Sequence, residues 1–149
     1  MELDKLVKNL KEGNLTSGLK EDKNILWFDE LSIEDVPLVG GKNASLGEMY
    51  VNLTKLGVKV PYGFAVTANA YNLFLESSGV REKIVSILKT LDTSNLRNLQ
   101  THGKKVRAAI MNAEFPEMLK VQISKAYSKM EEKYGEHVDV AVRLSLIHI

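Results

Sequence analysis

Gly40-Gly41-Lys42 is where this sequence can most readily do chemistry. Two adjacent glycines let the backbone approach a bound group. The lysine adds one positive charge, and an apolar pattern of helical spacing follows at once. Bare amides, a point charge and a helix N-terminus together suit an anionic, phosphate-bearing ligand. The stretch is not a Walker A loop, because Val36 stands where that motif needs its first glycine and Asn43 where it needs Ser or Thr. A tight turn with a solvated lysine would use the same three residues. Arg143 is the second candidate, since a guanidinium suits bidentate contact with phosphate. The alternative is an arginine exposed at a strand end and paired with Asp139. Tyr62 and Phe64, on either side of Gly63, could flank a planar ring or belong to the core.

The other polar residues point to less. His102 and His137 lack metal-type partners and read as solvated. Asp29, Glu30, Glu34 and Asp35 sit in a loop ending at Pro37 and read as a solvated surface rather than a metal cluster. No metal site is expected from this chain.

The elements that must position these residues follow from periodicity. Ile25 to Phe28 reads as a short strand, and Val58 to Thr67 as extended chain with a turn at Pro61 and Gly63. Leu46, Met49, Tyr50, Leu53 and Leu56 define an amphipathic helix from Ser45, with a Ser45–Glu48 capping box and Gly57 as its stop. Further helices are predicted over 68–77, over about 80–89, from a start signal at Asp92-Thr93-Ser94, and from Pro116 to Gly135. Val138, Val140 and Val142 alternate with Asp139, Ala141 and Arg143, which predicts a strand with one apolar face. Residues 1–12 are predicted to form a short polar helix with Leu3, Leu6, Val7 and Leu10 on one side.

Composition sets the bounds. The chain has 149 residues, 44% of them hydrophobic and 26% charged, enough for a sizeable core and against wholesale disorder. A net charge of +1 gives no electrostatic case for nucleic acid. The absence of Cys excludes disulfides, Cys-based zinc sites and a thiol nucleophile. No apolar run reaches the roughly 18 residues that a bilayer span needs, and Met1-Glu2-Leu3-Asp4-Lys5 lacks the features of a signal peptide, so the expected location is the cytoplasm.

Three separated motifs carry a resemblance. Asp29-Glu30-Leu31 precedes Val39-Gly40-Gly41-Lys42-Asn43-Ala44-Ser45-Leu46-Gly47-Glu48-Met49. Val60-Pro61-Tyr62-Gly63-Phe64-Ala65-Val66-Thr67 comes next. Tyr134-Gly135 then leads to Val138-Asp139-Val140-Ala141-Val142-Arg143. In this order, from about residue 25 to Arg143, they resemble the phosphoenolpyruvate synthase (pyruvate, water dikinase) family. The resemblance implies an α/β (α+β) fold, the incomplete N-terminal lobe of an ATP-grasp-type nucleotide-binding domain over 25–143; before it, Gly13, Asn14, Gly18 and several charges make 13–24 read as a linker, so that 1–24 is expected to be a polar leader. It implies a parent enzyme that converts ATP, pyruvate and water into AMP, phosphoenolpyruvate and phosphate with Mg²⁺. The phosphorylated histidine and the pyruvate-binding barrel of that family lie in domains this chain lacks, so no residue here is expected to be catalytic.

Lys42 and Arg143 match the family's ATP-contacting lysine and arginine, and with Gly40 and Gly41 they are the expected nucleotide-binding residues. After Arg143 the family continues Ser-Ser-Ala-Thr, whereas this chain reads Leu144-Ser145-Leu146-Ile147-His148-Ile149. Residues 144–149 are therefore expected to be an aberrant tail from an incomplete gene model, and His148 is not the family's phosphohistidine. The chain alone is expected not to turn over. A piece of a related dikinase or of a rifampicin-type phosphotransferase, and a non-catalytic nucleotide-binding protein that kept the lobe, are the alternatives.

Overall fold

A computed structural model describes residues 20–143. The helix expected over 1–12, the leader up to residue 19 and the tail over 144–149 lie outside the described residues. The chain divides into two compact units that meet between Asn69 and Ala70.

The first unit is built on two short antiparallel strands, β1 (Ile25–Trp27) and β2 (Phe64–Val66), in the register Ile25–Val66, Leu26–Ala65 and Trp27–Phe64. Hydrogen bonds from Phe28 N–H to the Gly63 carbonyl and from Thr67 N–H to the Asn24 carbonyl, both 3.0 Å, extend the pairing at each end. Leu26 is wholly buried and packs with Leu31, Val39, Ala44 and Ala65. Burying a leucine side chain contributes about 1.5–3 kcal/mol, so this small cluster anchors the sheet to what crosses it.

That crossing element is α1 (Val36–Thr54), entered through two 3-10 turns, Phe28–Glu30 and Ile33–Asp35. The helix does not begin at Ser45. Its path breaks at Gly40, whose φ of 75° and ψ of 159° are open essentially to glycine alone, and resumes directly afterwards. The Ser45–Glu48 capping box is accordingly not formed. Glu48 instead accepts from the Ile33 N–H at 3.2 Å and from Asn52 at 2.9 Å. The buried face of α1 runs through Val39, Ala44 and Gly47, while Met49 and Leu56 are exposed. Small residues lie inward because the helix nearly touches the Phe28–Leu31 segment. A Cβ on Gly47 would sit 2.3 Å from Leu31 Cβ. Gly57 does close the helix: Gly57 N–H bonds the Thr54 carbonyl and Val58 N–H the Leu53 carbonyl, a Schellman arrangement.

The second unit is helical. It holds α2 (Ala68–Ser77), whose first two residues belong to the first unit, then α3 (Val80–Leu88), α4 (Leu96–Met111) and α5 (Glu117–Tyr134). Ala70, Phe74, Leu75, Val80, Ala109 and Leu119 form its core. The helix predicted from Pro116 to Gly135 is present as α5, with Leu119, Ala126 and Met130 buried. The cap of α4 falls at Asn95, whose side chain accepts from Asn98 N–H at 3.1 Å, one residue beyond the predicted signal. Asp92 and Ser94 organise the turn before it.

The strand expected over 138–143 is not formed. Among the described residues the only strands, β1 and β2, pair with each other. Alternation of apolar and polar residues makes a strand only where a ladder partner exists. Val140 and Val142 are instead exposed, the latter by 86%. Tyr127 on α5 donates to the Val138 carbonyl at 2.8 Å and ties down the start of this segment.

Candidate functional site

The turn around Gly40 brings three of the four expected site residues together. Gly40 is buried, Gly41 and Lys42 are exposed, and Lys42 stands in the first turn of the resumed helix. A helix start carries partial positive charge, so the lysine and the backbone act in the same direction on an anion. Lys42 makes no ion pair among the described residues. Gly41 has empty space where its side chain would be, with no heavy atom within 4 Å. The packing therefore sets no steric requirement for glycine there.

The turn rests on a firm base. Val39 before it and Ala44 after it are core residues. Asn43, which spacing alone did not single out, donates from Nδ2 to the Val39 carbonyl at 2.9 Å across the break. Two loop carboxylates expected at the solvated surface are not fully exposed: Asp35 is buried and Glu30 half-buried. Asp35 is buried and accepts from Ser32 N–H (2.7 Å), from the Ser32 hydroxyl (3.1 Å) and from Lys20. Burial pushes its carboxyl up, but Lys20 and Ser32 together outweigh that and hold it below its ordinary value. Glu30 accepts from Lys23 at 2.7 Å and from Trp27 N–H at 2.8 Å, and it too ends below its ordinary value despite desolvation. These acids fix the two 3-10 turns that feed α1.

Tyr62 and Phe64 belong to an aromatic cluster. Tyr62 stacks on Trp27 with centroids 5.1 Å apart and planes 10° from parallel, and Phe64 meets Trp27 edge-on at 5.4 Å. The Tyr62 hydroxyl donates to Asp29 at 2.8 Å. Burial and this carboxylate push its phenol well above the ordinary tyrosine range. A ring already stacked on one face and bonded at its hydroxyl acts as structure here.

Arg143 belongs to the second unit, outside any regular element, and is exposed. It makes no ion pair with Asp139 or any other described residue. His102 is buried rather than solvated. Its Nδ1 lies 2.8 Å from the Asn98 carbonyl and its Nε2 3.0 Å from the Thr90 hydroxyl. It joins the α3–α4 connection to α4. His137 is exposed, as expected. Among the described residues no three His, Asp or Glu side chains gather to hold a metal ion, and no helix is long and apolar enough to cross a membrane.

The fold, a small antiparallel sheet crossed by a glycine-broken helix and followed by a helical unit, is consistent with an α/β nucleotide-binding domain. Residues 36–147 match the family described as pyruvate phosphate dikinase, AMP/ATP-binding domain. That match covers well over half the chain, and the chain belongs to this family. At the level of particular proteins it is similar to phosphoenolpyruvate synthases. It is 54% identical over 122 residues to that of Aquifex aeolicus, covering 81% of this chain and 14% of the relative. It is 47% identical over 131 residues to that of Synechocystis, covering 85% and 16%. It is 42% identical over 121 residues to that of Escherichia coli, covering 81% and 15%. The chain thus spans only about one-seventh of the length of these relatives.

Proposed function

We propose that residues 25–143 are part of the ATP-binding domain of a phosphoenolpyruvate synthase, of ATP-grasp type, in which Lys42 and Arg143 contact the phosphates of ATP and the backbone at Gly40 and Gly41 lets them approach. The parent reaction on this reading turns ATP, pyruvate and water into AMP, phosphoenolpyruvate and phosphate in the cytoplasm, through a phosphohistidine carried outside this chain. The observation that carries the reading is the exposed, unpaired Lys42 beside a glycine that the packing does not require, inside the span shared with the dikinase family.

Phosphoryl transfer depends on positioning and charge neutralisation more than on covalent chemistry by the protein. A lysine in a first helical turn serves as a point charge on phosphate, and an arginine as a planar two-pronged donor. Both cations bind and orient the nucleotide, and neither is a nucleophile. Mg²⁺ belongs to the parent reaction on this reading, with carboxylate oxygens as the ligand type it prefers.

The test replaces the matching segment of the A. aeolicus enzyme by residues 25–143 of this chain and measures pyruvate-dependent AMP release. Lys42→Ala and Arg143→Ala are each expected to lower kcat/KM for ATP by about 10–100-fold, the loss of one charge-assisted phosphate contact. Unchanged kcat/KM in the double variant would overturn the reading.

A further inference from the structure

We infer that Asn43 is a positioning residue that fixes where Lys42 emerges; this rests on the phosphate-contact reading of Lys42. An asparagine that bonds the carbonyl four residues back is ordinary within a continuous helix. Here the carbonyl it takes, that of Val39, lies on the other side of the one non-helical step in α1. It crosses that step inside α1 itself, whereas the Ile33–Glu48 bond crosses it from the preceding 3-10 turn. Val39 and Ala44 are anchored in the core, 5% and 0% exposed, while Gly41 and Lys42 between them touch solvent. Glycine backbones have several accessible conformations, so two of them in series leave the direction of the next side chain loosely defined. The Asn43 amide, half-buried and locked to Val39, removes that freedom. It holds the turn in the shape that presents Lys42 to solvent, ready for an anion, and lowers the ordering that binding would otherwise have to impose.

This role differs from general support of the fold. Asp35 and Gly47 hold α1 as a whole, whereas the Asn43 bond spans only the turn. The side chain does not itself contact ligand on this view; its effect passes through Lys42.

The experiment uses the same full-length chimera. Asn43→Ala, Asn43→Gln, Lys42→Ala and the Lys42→Ala/Asn43→Ala double variant are compared for KM(ATP), kcat and melting temperature. Loss of one positioning hydrogen bond is expected to raise KM(ATP) by about 3–10-fold with a smaller change in kcat. Asn43→Gln, which keeps the amide donor, is expected to recover part of the loss. Because Asn43 acts through Lys42, the double variant is expected to be no worse than Lys42→Ala alone. If Lys42→Ala raises KM(ATP) but Asn43→Ala does not, or if Asn43→Ala has its full effect in the Lys42→Ala background, the positioning role is wrong and the phosphate reading stands. If Lys42→Ala itself changes nothing, the phosphate reading has failed instead. A drop in melting temperature with unchanged KM(ATP) would assign Asn43 to stability alone.

Discussion

Gly47→Ala should destabilise the first unit, against the usual rule for helices. In an ordinary helix interior the change from glycine to alanine is favourable by about 1 kcal/mol. At Gly47 the new Cβ would stand 2.3 Å from Leu31 Cβ, 3.0 Å from the Phe28 carbonyl oxygen and 3.1 Å from that of Leu31. Carbon atoms prefer separations of about 3.5–4.0 Å, so α1 would have to retreat by more than about 1 Å. A Cβ and two carbonyls cannot rotate aside as a side-chain tip would. The cost belongs at the upper end of the overpacking range, about 3 kcal/mol, and exceeds the helix gain by about 2 kcal/mol. Trp27, the single tryptophan, lies in the same unit and reports its unfolding by fluorescence. With a urea slope of about 2 kcal/mol per molar, the midpoint should fall by about 1 M. Gly41→Ala is the matched control, because its Cβ would meet nothing within 4 Å. A Gly47→Ala protein as stable as the parent would refute the close-approach account of α1.

Four further outcomes are expected. Gly40→Ala should cost about 1–3 kcal/mol in the same urea assay, because alanine disfavours φ of 75° with ψ of 159°. Asp35→Asn should flatten the acid limb of stability. Asp35 has its folded pKa held below the ordinary 3.8, so its contribution is complete above that value and fades as pH falls through the lower folded one; urea midpoints from neutral pH to about pH 3 measure this. In an alkaline absorbance titration Tyr62 should ionise well above the ordinary tyrosine range, and Tyr62→Phe should remove that late step. Thr90→Val should leave His102 Nε2 without its partner and cost about 1 kcal/mol, read as a lower melting temperature by circular dichroism.

The helical unit was the most legible part of the sequence. Helices α2 to α5 carry plain apolar spacing and are punctuated by Gly79, Pro116 and Gly135, and these local signals act without help from distant residues. Asp35, Glu30 and His102 differ from the solvated reading for the opposite reason. Asp35 meets Lys20 fifteen positions away, Tyr62 meets Asp29 across thirty-three, and His102 meets Thr90 across twelve. No local pattern announces such partners, and polar residues in a loop default to solvent until the fold supplies them. The valine alternation after His137 failed because a strand is a property of two segments, and periodicity describes only one. At the candidate site, Gly40, Gly41 and Lys42 were visible from composition and order. The break inside a longer helix was not, because a diglycine reads equally well as a loop before a helix. Asn43 was hidden by its own ordinariness.

The vacant surroundings of Gly41 bear on how such a position is held over generations. A library of variants sorted for folded, protease-resistant protein should accept most small residues there, since the architecture exacts no toll. The same library sorted for growth on a carbon source that demands the parent enzyme should return glycine almost alone. The contrast between the two sorts would separate positions preserved for shape from those preserved for use, without a bound nucleotide ever being seen.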